Sequence, residues 1–338
     1  MRWSNRIHWS LSALLVLFAL SISLWSTLPL VKAEDNRVAI EPRASAAAQR
    51  TGSADRIASN IQVDVNLVLV PVVVTDHKDR LVTGLDKDYF KLFDDKIEQT
   101  ITHFASEDAP VSVVVVFDCS GSMGSKLQQS RAAVAQFMKT ANPEDQFGLV
   151  EFNNNAQVAV PLTQNSDEIQ NRLTFTQSKG RTALLDAIYL SLDMMRHSQY
   201  ARKALLIISD GGDNCSRYSM RDVRNRVREA NVQIYSIGIL EPLFDRGRSP
   251  EELAGPALLE DVSQQSGGRL FEVSDLNELP AIAGKISMAL RNQYIVGYTP
   301  DSTKRDGKYH KIQVKLARPK GMPPLHAFFR GGYIAPEH

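Results

Sequence analysis

Cysteine is scarce in this chain. It occurs twice in 338 residues, and the first, Cys119, lies far from the N-terminus, which excludes anchoring through a lipoprotein cysteine. Charge of either sign is not in excess, with 39 Lys and Arg against 38 Asp and Glu. No basic stripe with interleaved aromatics runs along the chain, which argues against nucleic acid as a partner. No G-x-x-x-x-G-K-[ST] loop is present, which argues against a built-in ATPase and a nucleotide site. No internal repeat of solenoid period is found. What remains is a 43% hydrophobic chain, enough for one large domain or two medium ones with a real core.

The N-terminus reads as a targeting segment. Arg2 and Arg6 precede the apolar stretch Leu11–Leu20, and Val31-Lys32-Ala33 before Glu34 supplies compact residues for cleavage. The expectation is a signal peptide over 1–33 and an exported product, periplasmic or extracellular. The rival is an uncleaved inner-membrane anchor over 7–31, because Ile7–Val31 carries no Asp, Glu, Lys or Arg and ~20 apolar residues span a bilayer. Ser, Thr and Pro in its second half favour cleavage, and contact with a membrane is expected only without it. Residues 34–60 have little hydrophobic periodicity and read as a disordered linker.

Three patterns follow. Over 61–110, Val63, Val65, Leu67 and Leu69 alternate with Gln62, Asp64, Asn66 and Val68, a strand signature. Pro71 within it suggests a bulge or an edge position. Short strands over 89–93 and 97–104 are separated by acidic turns, and the acids at 76, 79, 86, 88, 94 and 95 are read as turn residues, not a second calcium site. Residues 111–292 alternate strands with helices, expected over 126–140, 182–196, 220–230, 250–266 and 277–291, which implies βαβ units and a mainly parallel, doubly wound α/β sheet. Over 293–335 the β pattern returns, with a hairpin signal at Asp306-Gly307. Neither β flank holds a core alone, so the two are expected to pair into one smaller β-sandwich with the α/β domain inserted between them.

Chemistry concentrates at strand ends. The apolar run Val111–Phe117 ends in Asp118-Cys119-Ser120-Gly121-Ser122. A continuous β-branched run reads as a strand buried on both faces, and open α/β sheets bind ligands at the carboxyl ends of strands. A second such run, Lys203–Ser209, ends in Asp210-Gly211-Gly212-Asp213, and Thr182 opens a helix. Hard oxygen donors crowded on loops suit Mg²⁺ or Ca²⁺, not zinc or copper. Singly, each of these residues is more often a helix cap or a turn. The turn Ser120-Gly-Ser122-Met-Gly124 also approaches the G-x-S-x-G nucleophile elbow, which keeps a serine hydrolase open, with Ser122 as nucleophile and His197 or His310 as base. That reading leaves Asp118 and Thr182 without roles, and Ser120 replaces the first glycine.

D-x-S-x-S, then a lone Thr before a helix, then strand-Asp-Gly, resembles the metal-ion-dependent adhesion site of von Willebrand factor A domains, with matches at Asp118, Ser120, Ser122, Thr182 and Asp210. The segments Val74-Thr-Asp76, Val82–Leu85, Asp88-Tyr-Phe90, Gln293–Tyr298 and Asp306–Val314 further resemble A-domain-related proteins frequent in Acidobacteria, over about 61–335. The resemblance implies a non-enzymatic adhesion or assembly module. Mg²⁺, with Mn²⁺ or Ca²⁺ as alternatives, is held by the three hydroxyls and two acids and accepts a carboxylate from a partner protein. It also implies neighbouring strands ahead of Cys119 and Cys215, so that either a disulfide or two thiols stand beside the site, and Cys119 at a spacer position suggests redox sensitivity. A movable last helix, here 277–291, is a further implication. A purely structural envelope component, stapled by its metal, is the remaining alternative.

Overall fold

The computed structural model describes residues 67–106, 108–239, 250–300, 306–317, 321 and 323–337. The expected leader at 1–33 and linker at 34–60 lie outside them.

Four strands come from the N-terminal flank: β1 (Val68–Asp76), β2 (Phe90–Asp94), β3 (Ile97–Gln99) and β4 (His103–Ala105). The α/β layer follows as β5 (Val111–Asp118), α1 (Leu127–Lys139), β6 (Gln146–Phe152), β7 (Ala156–Thr163), α2 (Ser166–Thr174), α3 (Leu184–Met194), β8 (Arg202–Ser209), α4 (Met220–Glu229), β9 (Gln233–Ile239), α5 (Pro250–Ser266), β10 (Leu270–Val273) and α6 (Leu279–Arg291). The C-terminal flank adds β11 (Tyr294–Tyr298), β12 (Tyr309–Leu316), β13 (Leu325–Phe329) and β14 (Gly332–Ile334).

The central sheet has the order β10-β9-β8-β5-β6-β7. All its pairings are parallel except β6 with β7. Every residue of β5 is buried, because helices cover both faces. Val111, Val113, Val115 and Phe117 pack with residues of α1 and α6, while Val114 and Val116 pack with residues of α3, α4 and α5. Period-two alternation of side chains puts these sets on opposite faces, and each buried valine contributes roughly 1.5–3 kcal/mol. After β5 the chain moves outward to β6, whereas after β8 it moves the other way to β9. The carboxyl ends of β5 and β8 therefore form the topological switch point, where such sheets open a crevice.

The flanks build two further four-stranded sheets, β13-β1-β11-β4 and β14-β12-β2-β3. Each mixes strands from before and after the α/β layer, and the two sheets enclose one core that includes Val70, Val72, Leu92, Tyr294, Val296, Tyr298 and Ile312. Pro71, expected at a bulge or an edge position, is paired on one side only, with Ile295 of β11. β1 lies between β11 and β13, and the proline sits just before Val72, where pairing with β13 begins. Among the acidic turn residues, Asp76 folds its own loop by accepting from the Lys78 and Arg80 amides at 2.8 and 3.0 Å. Asp94 behaves otherwise: it is fully buried and accepts from Tyr298 Oη at 3.0 Å.

Candidate metal centre

Three loops meet at the switch point. β5 delivers Asp118, with none of its surface exposed. Its Oδ1 accepts the Ser120 amide at 2.8 Å and its Oδ2 accepts the Ser209 hydroxyl at 2.5 Å. Ser209 ends β8, the strand paired directly with β5, and its Oγ in turn accepts the Gly211 amide at 3.0 Å. Ser120 is buried and Ser122 exposed, with their hydroxyls 3.1 Å apart. The second loop is tied on by main chain, Gly121 donating to Gly180 O and Lys179 to Cys119 O, both at 2.9 Å. Gly180 is needed there: its φ is +83°, and a Cβ would stand 2.7 Å from Asn154 Oδ1. Thr182, buried, is positioned by Asn214 of the third loop, whose Oδ1 accepts the threonine amide at 2.9 Å.

Asp210 lies on that third loop. Its Oδ2 accepts from Lys126 Nζ at 3.3 Å, with both side chains buried, and its Oδ1 is shielded from solvent without a hydrogen-bond partner. The loop is braced by a close main-chain approach. A Cβ on Gly211, at φ +87°, would meet the Gly255 carbonyl carbon of α5 at 2.8 Å. Burial, and then the charge of Asp210, push the Asp118 carboxyl up to about 7. Two acids so placed favour a cation between them. An orphaned carboxylate oxygen, a strained carboxyl and a set of hard oxygens suit Mg²⁺, Mn²⁺ or Ca²⁺, and exposed Ser122 leaves one side open.

Sequence reasoning missed Ser209 and Lys126. A lysine immediately before α1, where the helix macrodipole disfavours cations, was the available signal for Lys126. It also missed the group Asp94, Asp95 and His310, whose ligand atoms lie within 4.8 Å of one another in the sandwich.

Of the two alternatives for the cysteines, the structure holds the second: Cys119 and Cys215 are free thiols. Cys119 Sγ turns to Phe152 O at 3.1 Å and Cys215 Sγ to the Asn153 and Asn154 carbonyls at 3.8 and 3.7 Å. Redox sensitivity of Cys119 is not supported either, since burial, then the Glu151 and Asp118 charges, push its thiol up to about 12, and the thiolate is the reactive form. No histidine among the described residues hydrogen-bonds Ser122, whose partner is Ser120. His310 is held in the sandwich by Asp95 at 2.7 Å and Asp306 at 3.0 Å, and His197 is exposed beyond α3.

A family model described as von Willebrand factor type A domain matches residues 112–285. Inter alpha-trypsin inhibitor heavy chain 4 of Mus musculus is 30% identical over 194 residues, covering 52% of this chain and 20% of that protein. The chain thus spans only a small part of that relative's length. Among solved structures, a von Willebrand factor type A protein from Catenulispora acidiphila is similar with a TM-score of 0.47 and 12% identity, over 80% of this chain and 75% of that one. The vWF domain of the type V pili tip protein Mfa5 from Porphyromonas gingivalis has a TM-score of 0.46 and 14% identity, over 54% and 95%. Among the described residues no helix is long and apolar enough to cross a membrane.

Proposed function

The chain belongs to the von Willebrand factor type A domain family, and on that premise we propose that it is an exported, metal-dependent protein-binding module carried on a β-sandwich made from both flanks. Domains of this family commonly bind a divalent metal. Here Asp118, Ser120, Ser122, Thr182 and Asp210 would hold Mg²⁺, or Mn²⁺ or Ca²⁺ in its place. When bound, the cation supplies a Lewis-acidic position for a carboxylate oxygen of a partner protein.

The observation that carries this reading is Asp210 Oδ1, buried and without a hydrogen-bond partner, on the loop beside a fully buried Asp118. Ser120, Ser122 and Thr182 offer neutral oxygens, so the two acids carry all the negative charge of the donor set. Lys126 already offsets part of it through Asp210. The residual positive charge favours one more anionic oxygen at the exposed Ser122 side. Export rests on the N-terminal pattern Arg2, Arg6, Leu11–Leu20 and Val31-Lys32-Ala33.

Calorimetric titration of Mg²⁺, Mn²⁺ and Ca²⁺ into the protein and into Asp118→Ala tests the site. Saturable 1:1 binding lost in the variant is expected, followed by capture of polyglutamate in metal and its release by chelator. Absence of binding both alone and with polyglutamate present would sink the adhesion reading. Metal-raised melting temperature without any carboxylate capture would leave the metal a purely structural role. Mass determination of the N-terminus after expression with an intact export pathway tests the leader, with Glu34 expected first.

A further inference from the structure

At the opposite end of the parallel strands, where β5, β8 and β9 begin, a cavity of about 320 Å³ separates the α/β layer from the sandwich. Among the described residues its wall carries four cations, Arg202, Lys203, Arg228 and Arg330, and no Asp or Glu. Lys203 Nζ donates to the Met195 carbonyl at 2.9 Å, and the Arg228 guanidinium lies 5.3 Å from the centre of the Tyr309 ring. Arg330 Nη1 donates to Asn231 Oδ1 at 2.9 Å. Its Nε is shielded from solvent and has no hydrogen-bond partner. Desolvation holds the Arg330 guanidinium below the usual arginine range.

Gln233 repeats the pattern. Only 8% exposed, it accepts from Gln293 Nε2 at 2.5 Å, while its own Nε2 is buried without a partner. Buried donors are almost always satisfied in native proteins, and each exception calls for an explanation. Two such donors on one cavity, within a wall of cations lacking any acid, want an acceptor with negative charge. The position of Arg330 is built in: its main chain lies so close to Gly267 that a Cβ there would approach Arg330 N to 2.3 Å. The rest of the lining includes Pro71, Val232 and Ile295, which disfavours a fully hydrated inorganic ion, and the volume falls at the small end of ligand pockets.

We propose that this cavity is a binding site for a small organic anion, whose carboxylate lies among the wall cations and draws the Arg330 and Gln233 side chains round to satisfy their orphaned Nε and Nε2 donors, and whose apolar body lies on Pro71, Val232 and Ile295. The ligand touches both layers, since Gln233 begins β9 of the α/β sheet while Pro71 and Ile295 belong to β1 and β11 of the sandwich. It therefore joins the domain to the sandwich. The site is independent of the metal centre.

Calorimetric titration of octanoate into the protein tests this, with octan-1-ol and inorganic phosphate as separate arms. Saturable 1:1 binding of octanoate is expected, with neither octanol nor phosphate bound over the same range. Arg330→Gln and Gln233→Leu should each weaken it at least tenfold, and Asp118→Ala should leave it unchanged. Without ligand, Arg330→Gln should melt at the same or a higher temperature, because it removes an uncompensated charge. Should that variant fail to fold, Gln233→Leu carries the comparison. Failure of octanoate to bind the wild type, or equal binding by a folded variant, overturns the proposal. Phosphate binding as tightly as octanoate overturns its organic half.

Discussion

Replacing Lys126 by Met separates the charge balance of the candidate metal centre from its packing. The ammonium stands 3.3 Å from Asp210 Oδ2 with both side chains buried. At an effective dielectric of about 20 that separation is worth about 5 kcal/mol of direct attraction. Breaking a buried pair by removing one partner costs about 3–5 kcal/mol, because the other charge is left uncompensated. Metal-free Lys126→Met should therefore lose about 3 kcal/mol. With a divalent ion bound, the cation takes over as counter-charge, and methionine retains most of the aliphatic packing, so the loss should fall to about 1.5 kcal/mol or less. The thermodynamic cycle converts that difference into metal binding tightened about tenfold or more. Urea denaturation in chelator and in saturating Mn²⁺ measures the two losses, and calorimetry measures the affinity directly. Equal destabilisation in both conditions, or weaker metal binding, would refute the view that Lys126 competes with the ion for Asp210.

Three further outcomes follow from the same structure. The Asp118 carboxyl is raised from 3.8 to about 7 by burial and Asp210. The folded metal-free protein therefore holds a proton that the unfolded chain releases, and stability should decline as pH rises above about 4 through the raised value. Asp118→Asn should flatten that slope in denaturation curves at several pH values, and a divalent ion should reverse it in the wild type. His310 titrates above its ordinary value: burial opposes this, but the hydrogen bonds its ring donates to Asp306 and Asp95 and the charges of Asp95 and Asp94 outweigh it. Its contribution is fully present below about pH 6.5 and is lost as pH rises through the raised value. His310→Gln should remove this component, read at β2 and β12 by hydrogen exchange, without affecting metal affinity. Gly211→Ala forces a side chain into a positive-φ position against Gly255. A loss of roughly 1–3 kcal/mol is expected, together with weaker Mn²⁺ binding, since the Asp210 loop must shift away from α5.

Much of this molecule was legible along the chain because its elements have clear periods. The apolar runs Val111–Phe117 and Lys203–Ser209 fall within β5 and β8, and the helix at 250–266 coincides with α5. The α/β layer announces itself through continuous apolar runs, which only burial on both faces accommodates. Boundaries blur where cooperating residues are distant. Thr182 was placed inside a helix, yet α3 begins at Leu184, since Asp213 Oδ1, from another loop, accepts the Leu185 amide. The short strand β14 carried no periodic signal, and its pairing with β12 comes from tertiary contact.

By itself the sequence determined the order of strands and helices and the doubly wound layer, and it pointed to Asp118, Ser120, Ser122, Thr182 and Asp210 as candidate ligands on the loops that follow strands or precede a helix. Local periodicity and strand termini suffice for that. Tertiary structure alone decided that Asp118 is completely buried, that Ser209 and Lys126 complete its surroundings, that both cysteines stay apart as thiols, and that cations without acids line the cavity beneath the sheet. Those facts depend on contacts between residues distant along the chain, as with Asp118 and Ser209, 91 positions apart. Desolvation and charge pairing act through space, and no pattern along the chain encodes them.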